Sequence, residues 1–118
     1  MNKNIRRLFP FVATTAILLS SFVVIYADVL EGTAWREDNG KHYSTFEFLG
    51  SGEVRVTSHQ TSDDSVVKRL ILNYSVDGSK VTIGSGDSRW TCALSGSDMH
   101  CTTKVGSTER AMYMHKTK

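Results

Sequence analysis

The chain has 118 residues, with 14 basic and 12 acidic residues and two cysteines. Three of the basic residues and none of the acidic ones lie within residues 1–27, so residues 28–118 carry a net charge of −1. That part has no cluster of lysine or arginine, and we therefore expect no nucleic-acid partner. Its length allows one small domain, which buries a modest share of its surface and benefits from a covalent staple.

Residues 1–27 have the pattern of an export signal. Basic residues precede an apolar run over 8–26, and Ala27 offers a small residue for cleavage. Cleavage there would leave Asp28 as the new amino terminus of a periplasmic or secreted protein. The run of about 19 residues is also long enough for a bilayer. An uncleaved anchor is therefore the alternative, and the only source of membrane association that we expect.

From residue 30 onward the sequence predicts short strands separated by glycine, serine and aspartate. The predicted strands cover 30–36, 42–49, 53–59, 66–76, a segment holding Val81 and Ile83, the two arms of a hairpin over 88–104, and 108–116. The facing of the last strand stays open, because apolar residues occur on both of its sides. About eight sequential strands without a helical period predict an all-β domain over residues 28–118. A small up-and-down antiparallel barrel removes exposed edges, and a sandwich is the structural alternative.

The longest predicted strand ends at a strong hairpin signal. Asp77-Gly78 is typical of a type I′ turn. Pairing about it sets Tyr74 against Val81 and Leu72 against Ile83, so that the apolar faces match across the turn.

The hairpin over 88–104 predicts a disulfide. Gly96-Ser97 suits a two-residue type II′ loop, which places Cys92 opposite Cys101 at a non-hydrogen-bonded pair. Side chains come closest at such pairs, so a cross-strand disulfide is feasible there. Two cysteines in an exported chain indicate the same bridge, which would stabilise the domain by about 2–3 kcal/mol.

Three motifs together resemble the small lipocalin-like (calycin) barrels exported by bacteria. They are Leu30-x-Gly32-Thr33-x-Trp35, then Phe46-x-Phe48 before a glycine turn and Val54, then the stretch over 74–83. The resemblance covers most of residues 28–118 and implies a lipocalin-like barrel of about eight strands. It also implies a basic side chain from the last strand over Trp35, for which we favour Arg110, with Lys116 as the alternative.

The side chains predicted to face inward are large. The aromatic ones are Trp35, Phe46, Phe48, Tyr74 and Trp90. An eight-stranded barrel is just wide enough for side chains or one small ligand, so this aromatic volume favours a filled core. A lipocalin-like carrier of a small apolar ligand in the interior is the alternative function.

Strand order places the longer loops, 37–41, 60–65, 84–88 and 105–108, at one end of the barrel. Loops on a rigid scaffold often carry function. We therefore expect this rim to bind an unidentified extracytoplasmic protein, as an inhibitor or immunity-type protein does. The candidate binding residues are Asp38, Asn39, His59, Asp63, Asp64 and Asp87. Replacing Asp63 and Asp64, as exposed loop charges, is expected to leave stability nearly unchanged.

The sequence shows no catalytic constellation. It lacks a nucleophile elbow and a phosphate-cradling glycine loop, and the adjacent Asp63 and Asp64 would point apart in an extended loop. The histidines show no short metal-ligand spacing. We therefore expect a monomeric binding protein with no enzymatic activity, no metal and no cofactor.

Overall fold

Alternating apolar and polar residues produce a succession of antiparallel strands in a computed structural model that describes residues 30–118. The strands are β1 (Ala34–Asp38), β2 (His42–Phe48), β3 (Glu53–Gln60), β4 (Val66–Asp77), β5 (Lys80–Ile83), β6 (Trp90–Ser95), β7 (Asp98–Val105) and β8 (Thr108–Lys116). Each strand pairs with the next, and β1 pairs with β8 to close a barrel. The predicted all-β class and up-and-down barrel are therefore confirmed. The predicted export signal and its cleavage position lie outside the described residues.

The strands alternate in direction, so their connections fall at two ends. Short connections at 49–52, 78–79 and 96–97 lie at one end, called the short-turn end. The connections 39–41, 61–65, 84–89 and 106–107 lie at the other, and together they form the long-loop rim. The part of the chain from residue 30 to 118 contains no helix with the length and apolarity needed to cross a bilayer.

The apolar core is formed by the inward-facing residues of all the strands except β4, whose inward side chains are half-buried. Its most buried members are Leu30, Trp35, Phe46, Phe48, Val54, Val56, Val81, Ile83, Cys92, Met99, Cys101, Met112 and Met114. Most of them lie in the part of their strand nearer the short-turn end. Met112 and Met114 resolve the facing of the last strand, because both point inward while Tyr113 is 68% exposed.

The predicted disulfide is confirmed. Cys92 and Cys101 face each other in the β6–β7 ladder and are bonded, with their Cα atoms 3.9 Å apart. Both are buried in the core. A disulfide at this place is consistent with folding in an oxidising compartment.

The predicted register of the β4–β5 hairpin is wrong by two residues. The loop is Gly78-Ser79, closed by Asp77 and Lys80, so Tyr74 faces Ile83 instead of Val81. Gly78 takes the positive φ of +62° that the first position of a type II′ loop requires. Because side chains alternate with period two, a shift of two leaves every side chain on its predicted face.

Two other predicted boundaries are also wrong. The connection at 105–108 is a tight two-residue loop, Gly106-Ser107, closed by Val105 and Thr108. The first strand begins at Ala34 instead of residue 30, because Gly32 turns the chain with a φ of +82°. Leu30 is fully buried at the short-turn end.

The barrel consists of two four-stranded halves, β1–β4 and β5–β8, that are joined at the short-turn end. The β1–β8 joint contains two residue pairs, Trp35 with Lys116 and Arg36 with His115. The β4–β5 joint contains four pairs because β5 has only four residues. Within the described residues, neither joint has further ladder pairs toward the long-loop rim.

Candidate functional site

The predicted rim residues fall into two groups on the two halves of the barrel. Asp38 and Asn39 lie at the β1–β2 connection, and His59, Asp63 and Asp64 at or after the end of β3. Asp87 lies in a short 3-10 turn, Gly86–Ser88, between β5 and β6. The first group belongs to the β1–β4 half and Asp87 to the β5–β8 half.

The first group is organised around Tyr43, with two residues that were not predicted, Tyr43 itself and Arg36. The Arg36 guanidinium lies 3.8 Å from the centre of the Tyr43 ring and donates to Asp38, with Nη2 2.9 Å from Oδ1. The Tyr43 hydroxyl donates to Oδ1 of Asp64 at 2.8 Å. The ring of His59 stacks on Tyr43 with centroids 4.7 Å apart. We call these five residues the Tyr43 cluster.

Strand register explains why these side chains meet. Tyr43 on β2 has Asp38 of β1 as its cross-strand neighbour on one side and His59 of β3 on the other. On their strands these three residues have the opposite facing to the core residues Trp35, Phe46 and Val56, and therefore lie on the outer face. Directly opposed side chains on one sheet face lie close enough to interact, so the ladder itself assembles the cluster.

The charges of the cluster support one another. The hydrogen bond from Tyr43 to the Asp64 carboxylate raises the pKa of the phenol. The hydrogen bond to Asp38 likewise raises the pKa of Arg36. The arrangement presents a fixed aromatic ring, a cation and two carboxylates to solvent.

Two of the predicted binding residues also hold the loops in place. Asn39 Oδ1 accepts a hydrogen bond from the amide of His42 at 3.0 Å. Asp63 Oδ1 accepts hydrogen bonds from the amide and the hydroxyl of Ser65, at 3.0 and 2.7 Å. These hydrogen bonds lower the pKa of Asp63. Asp64 adopts the left-handed conformation with a φ of +58°. The structure therefore gives Asp63 and Asp64 roles in the β3–β4 loop beyond those of solvated charges.

Asp87 lies in a groove on the other half of the barrel. This groove has a volume of about 560 Å³ and is lined by charges of both signs, Asp87, Arg89, Lys104 and Glu109. The hydroxyl of Thr103 donates to the carbonyl of Arg89 at 2.7 Å and holds the loop against β7. A neighbouring cleft of about 380 Å³ includes Asp87 and Trp90.

The five predicted interior aromatics occupy two environments. Trp35, Phe46 and Phe48 are buried. Tyr74 and Trp90 are half-buried and pack against the core, with Tyr74 in an edge-to-face contact with Phe48 at 4.9 Å. The space at the short-turn end is therefore occupied by side chains.

Nearer the rim the inward positions are polar. Glu37 faces Ser44 across the β1–β2 ladder, and Ser44 shares a 2.9 Å hydrogen bond with Ser58 of β3. Partial burial raises the pKa of Glu37, and the nearby charge of Asp38 raises it further. The barrel thus changes from an apolar to a polar lining along its axis.

The basic residue expected over Trp35 is not Arg110. The β1–β8 register places Lys116 opposite Trp35, whereas Arg110 pairs with Thr103 near the long-loop rim. Arg110 lies six residues earlier on β8, which in a strand corresponds to roughly 20 Å. The alternative candidate, Lys116, is the one that the register favours.

Residues 30–118 contain no group of three or more histidine, cysteine, aspartate or glutamate side chains placed to hold a metal ion. Comparisons of the chain with family models, with curated proteins and with solved structures found no match. The eight-stranded antiparallel barrel is consistent with a calycin-like fold.

Sequence reasoning missed the Tyr43 cluster because its centre lies within a strand and not in a loop. A usable signal was present, since pairing about Gly40-Lys41 places Tyr43 opposite Asp38. The two basic residues of the groove, Arg89 and Lys104, were also missed. Alternation along a strand gives only the inner or outer face of a residue, and it does not show which residues line a common groove.

Proposed function

We propose that this barrel is an exported binding protein that docks an extracytoplasmic protein at the long-loop rim, as an inhibitor or immunity-type protein does. The observation that carries the proposal is the Tyr43 cluster. Tyrosine and arginine are the residues enriched at the centres of protein interfaces. Here both are held in place before binding by ring stacking and by hydrogen bonds to carboxylates. Such preorganisation reduces the entropy lost on association.

The positions of the first and last described residues fit docking at this rim. Residue 30 and Lys118 both lie at the short-turn end, where the amide of Ala34 donates to the carbonyl of Lys118. The long-loop rim is at the opposite end of the barrel, so neither residue lies beside it.

The test is capture of a partner from periplasm or culture medium, followed by binding measurements with variants. Tyr43→Ala should weaken binding about tenfold or more, as expected for a central interface aromatic. Tyr113→Ala is the matched control, because Tyr113 is likewise an outward-facing tyrosine stacked on a histidine, His100, but on β8. Equal losses in both variants, or none in Tyr43→Ala, would exclude docking at the Tyr43 cluster.

The second candidate is a lipocalin-like carrier of a small apolar ligand. The observation that favours it is the cleft of about 380 Å³ beside the half-buried Trp90. Titration with fatty acids and retinoids, followed by tryptophan fluorescence, separates the two functions. A saturable quench that disappears in Trp90→Phe would favour the carrier, whereas an unchanged spectrum would favour protein docking.

A further inference from the structure

The wall of the barrel has an open strand edge on β4. Residues 66–73 of β4 pair with β3 on one side. On the other side β5 pairs only with residues 74–77, and one further hydrogen bond joins the amide of Gly84 to the carbonyl of Asn73 at 2.8 Å. Within the described residues, the segment before Asn73 has no strand on that side.

The direction of the backbone groups follows from that last hydrogen bond. The carbonyl of Asn73 points away from β3, and along a strand every second residue points its amide and carbonyl to the same side. The amides and carbonyls of Ile71 and Arg69 therefore point to the open edge, whereas those of Leu70 and Leu72 bond to β3. Two residues thus offer four backbone groups to a partner strand.

The loop that follows β5 leaves this edge uncovered. Its short 3-10 turn, Gly86–Ser88, packs on β7, and Thr103 of β7 donates to the carbonyl of Arg89. The loop therefore leans toward the β5–β8 half and away from β4. Two apolar side chains of this segment are also exposed: Ile71, which points to the outer face of the sheet, is 57% exposed, and Val67 is 48% exposed.

The charge of the edge determines what fits there. The segment 66–73 carries Lys68 and Arg69 and no acidic residue. A second copy of the same edge would bring these cations together, and like charges on paired strands destabilise the pairing. Basic residues on an edge are a common protection against self-association. They favour a strand with acidic residues.

We infer that the open edge of β4 accepts an extended, acidic segment of a partner protein as an added strand. Backbone hydrogen bonds to Arg69 and Ile71 would hold the segment, and Lys68 and Arg69 would select its acidic side chains. The inference rests on the proposed function only in taking the ligand to be a protein. It does not depend on the Tyr43 cluster, because this edge is separate from it.

Amide hydrogen exchange measured by NMR tests the inference without a known partner. The probe is a capped seven-residue peptide alternating glutamate with valine and threonine, and the control peptide has lysine in place of glutamate. In the purified protein the amides of Arg69 and Ile71 should exchange fast, and those of Leu70 and Leu72 slowly. The glutamate peptide should slow Arg69 and Ile71 about tenfold or more, and the lysine peptide should not.

A proline variant tests whether peptide binding at the edge can be lost while the fold is kept. Ile71→Pro removes an amide that points to the open side, so the barrel should keep its thermal unfolding midpoint within a few degrees while peptide binding is lost. Three results would overturn the inference. They are slow exchange of the Arg69 and Ile71 amides without peptide, equal slowing by both peptides, and slowing that depends only on protein concentration. The last result would indicate pairing with a second copy. Rim docking is assessed separately by Tyr43→Ala, so either proposal can fail alone.

Discussion

The two ends of the barrel are held together by different forces. At the short-turn end Leu30, Trp35 and Phe48 are at most 2% exposed and fill the interior. At the long-loop rim the inward positions include Glu37 and Ser44, and the outer face carries the Tyr43 cluster. Burial of apolar surface is roughly proportional to area and not directional, whereas the rim depends on hydrogen bonds and ion pairs that need defined geometry.

This difference separates stability from recognition. Exposed ion pairs and hydrogen bonds contribute little to folding, but they can fix the orientation of a partner. Substitutions in the core at the short-turn end should therefore lower stability most, and those at the rim should change binding while the barrel remains folded.

The largest effect is expected from Phe48→Ala. Phe48 is 1% exposed and contacts Tyr74 edge-on, so its removal leaves a cavity in the core. We expect a loss of about 3–5 kcal/mol in the free energy of unfolding. Urea denaturation followed by tryptophan fluorescence measures it. Tyr113→Ala, at an exposed aromatic, is the control, and a similar loss in both variants would contradict the division between core and surface.

Removal of the disulfide should have the next largest effect. The bridge closes a short loop, and the chain-entropy relation gives about 2–3 kcal/mol for its loss. Cys92→Ala combined with Cys101→Ala avoids free thiols, and the urea midpoint of this variant should match that of the reduced parent protein. If the variant were as stable as the oxidised parent, the bridge would not stabilise the short-turn end.

A smaller effect is expected at the β4–β5 turn. Gly78 has a φ of +62°, where a Cβ atom costs roughly 1–2 kcal/mol. Gly78→Ala should therefore lower the free energy of unfolding by about that amount, whereas Ser79→Ala should leave it almost unchanged. Equal losses in the two variants, or none in Gly78→Ala, would contradict the positive φ at this position.

The extent to which the sequence predicted this structure depends on how local each feature is. The alternation around Phe46, Val54 and Leu72 identifies inward faces, because period two survives register errors of two residues. The register at Gly78 could not be decided, because Asp77-Gly78 and Gly78-Ser79 are overlapping turn signals. The Tyr43 cluster needs the registers of two ladders at once, and no single segment contains that information.

The polar lining near the rim should make stability depend on pH through Glu37. Partial burial raises its pKa in the folded state, so the unfolded state releases the proton first as pH rises. Stability should therefore fall as pH rises through and above the ordinary glutamate range. Glu37→Gln should remove this loss and be the more stable protein at neutral pH, with no difference at pH values where the carboxyl is protonated. A less stable variant at neutral pH would mean that the charge of Glu37 is stabilising.

The smallest effect on folding, and the sharpest test of the rim, concerns Asp64. Its φ of +58° is tolerated by aspartate and asparagine but not by alanine, and its carboxylate holds the Tyr43 hydroxyl. Asp64→Asn should keep the loop and the fold, whereas Asp64→Ala should lower the free energy of unfolding by up to about 1 kcal/mol.

Both variants remove the carboxylate that raises the pKa of Tyr43, so the phenol should titrate at lower pH in each. NMR of ¹³Cζ-labelled tyrosine measures this for Tyr43 separately, with Tyr113 as the internal control. An unchanged pKa of Tyr43 in Asp64→Asn would mean that the hydrogen bond does not fix the cluster. Ring stacking with His59 and Arg36 would then be the only contact that orients Tyr43.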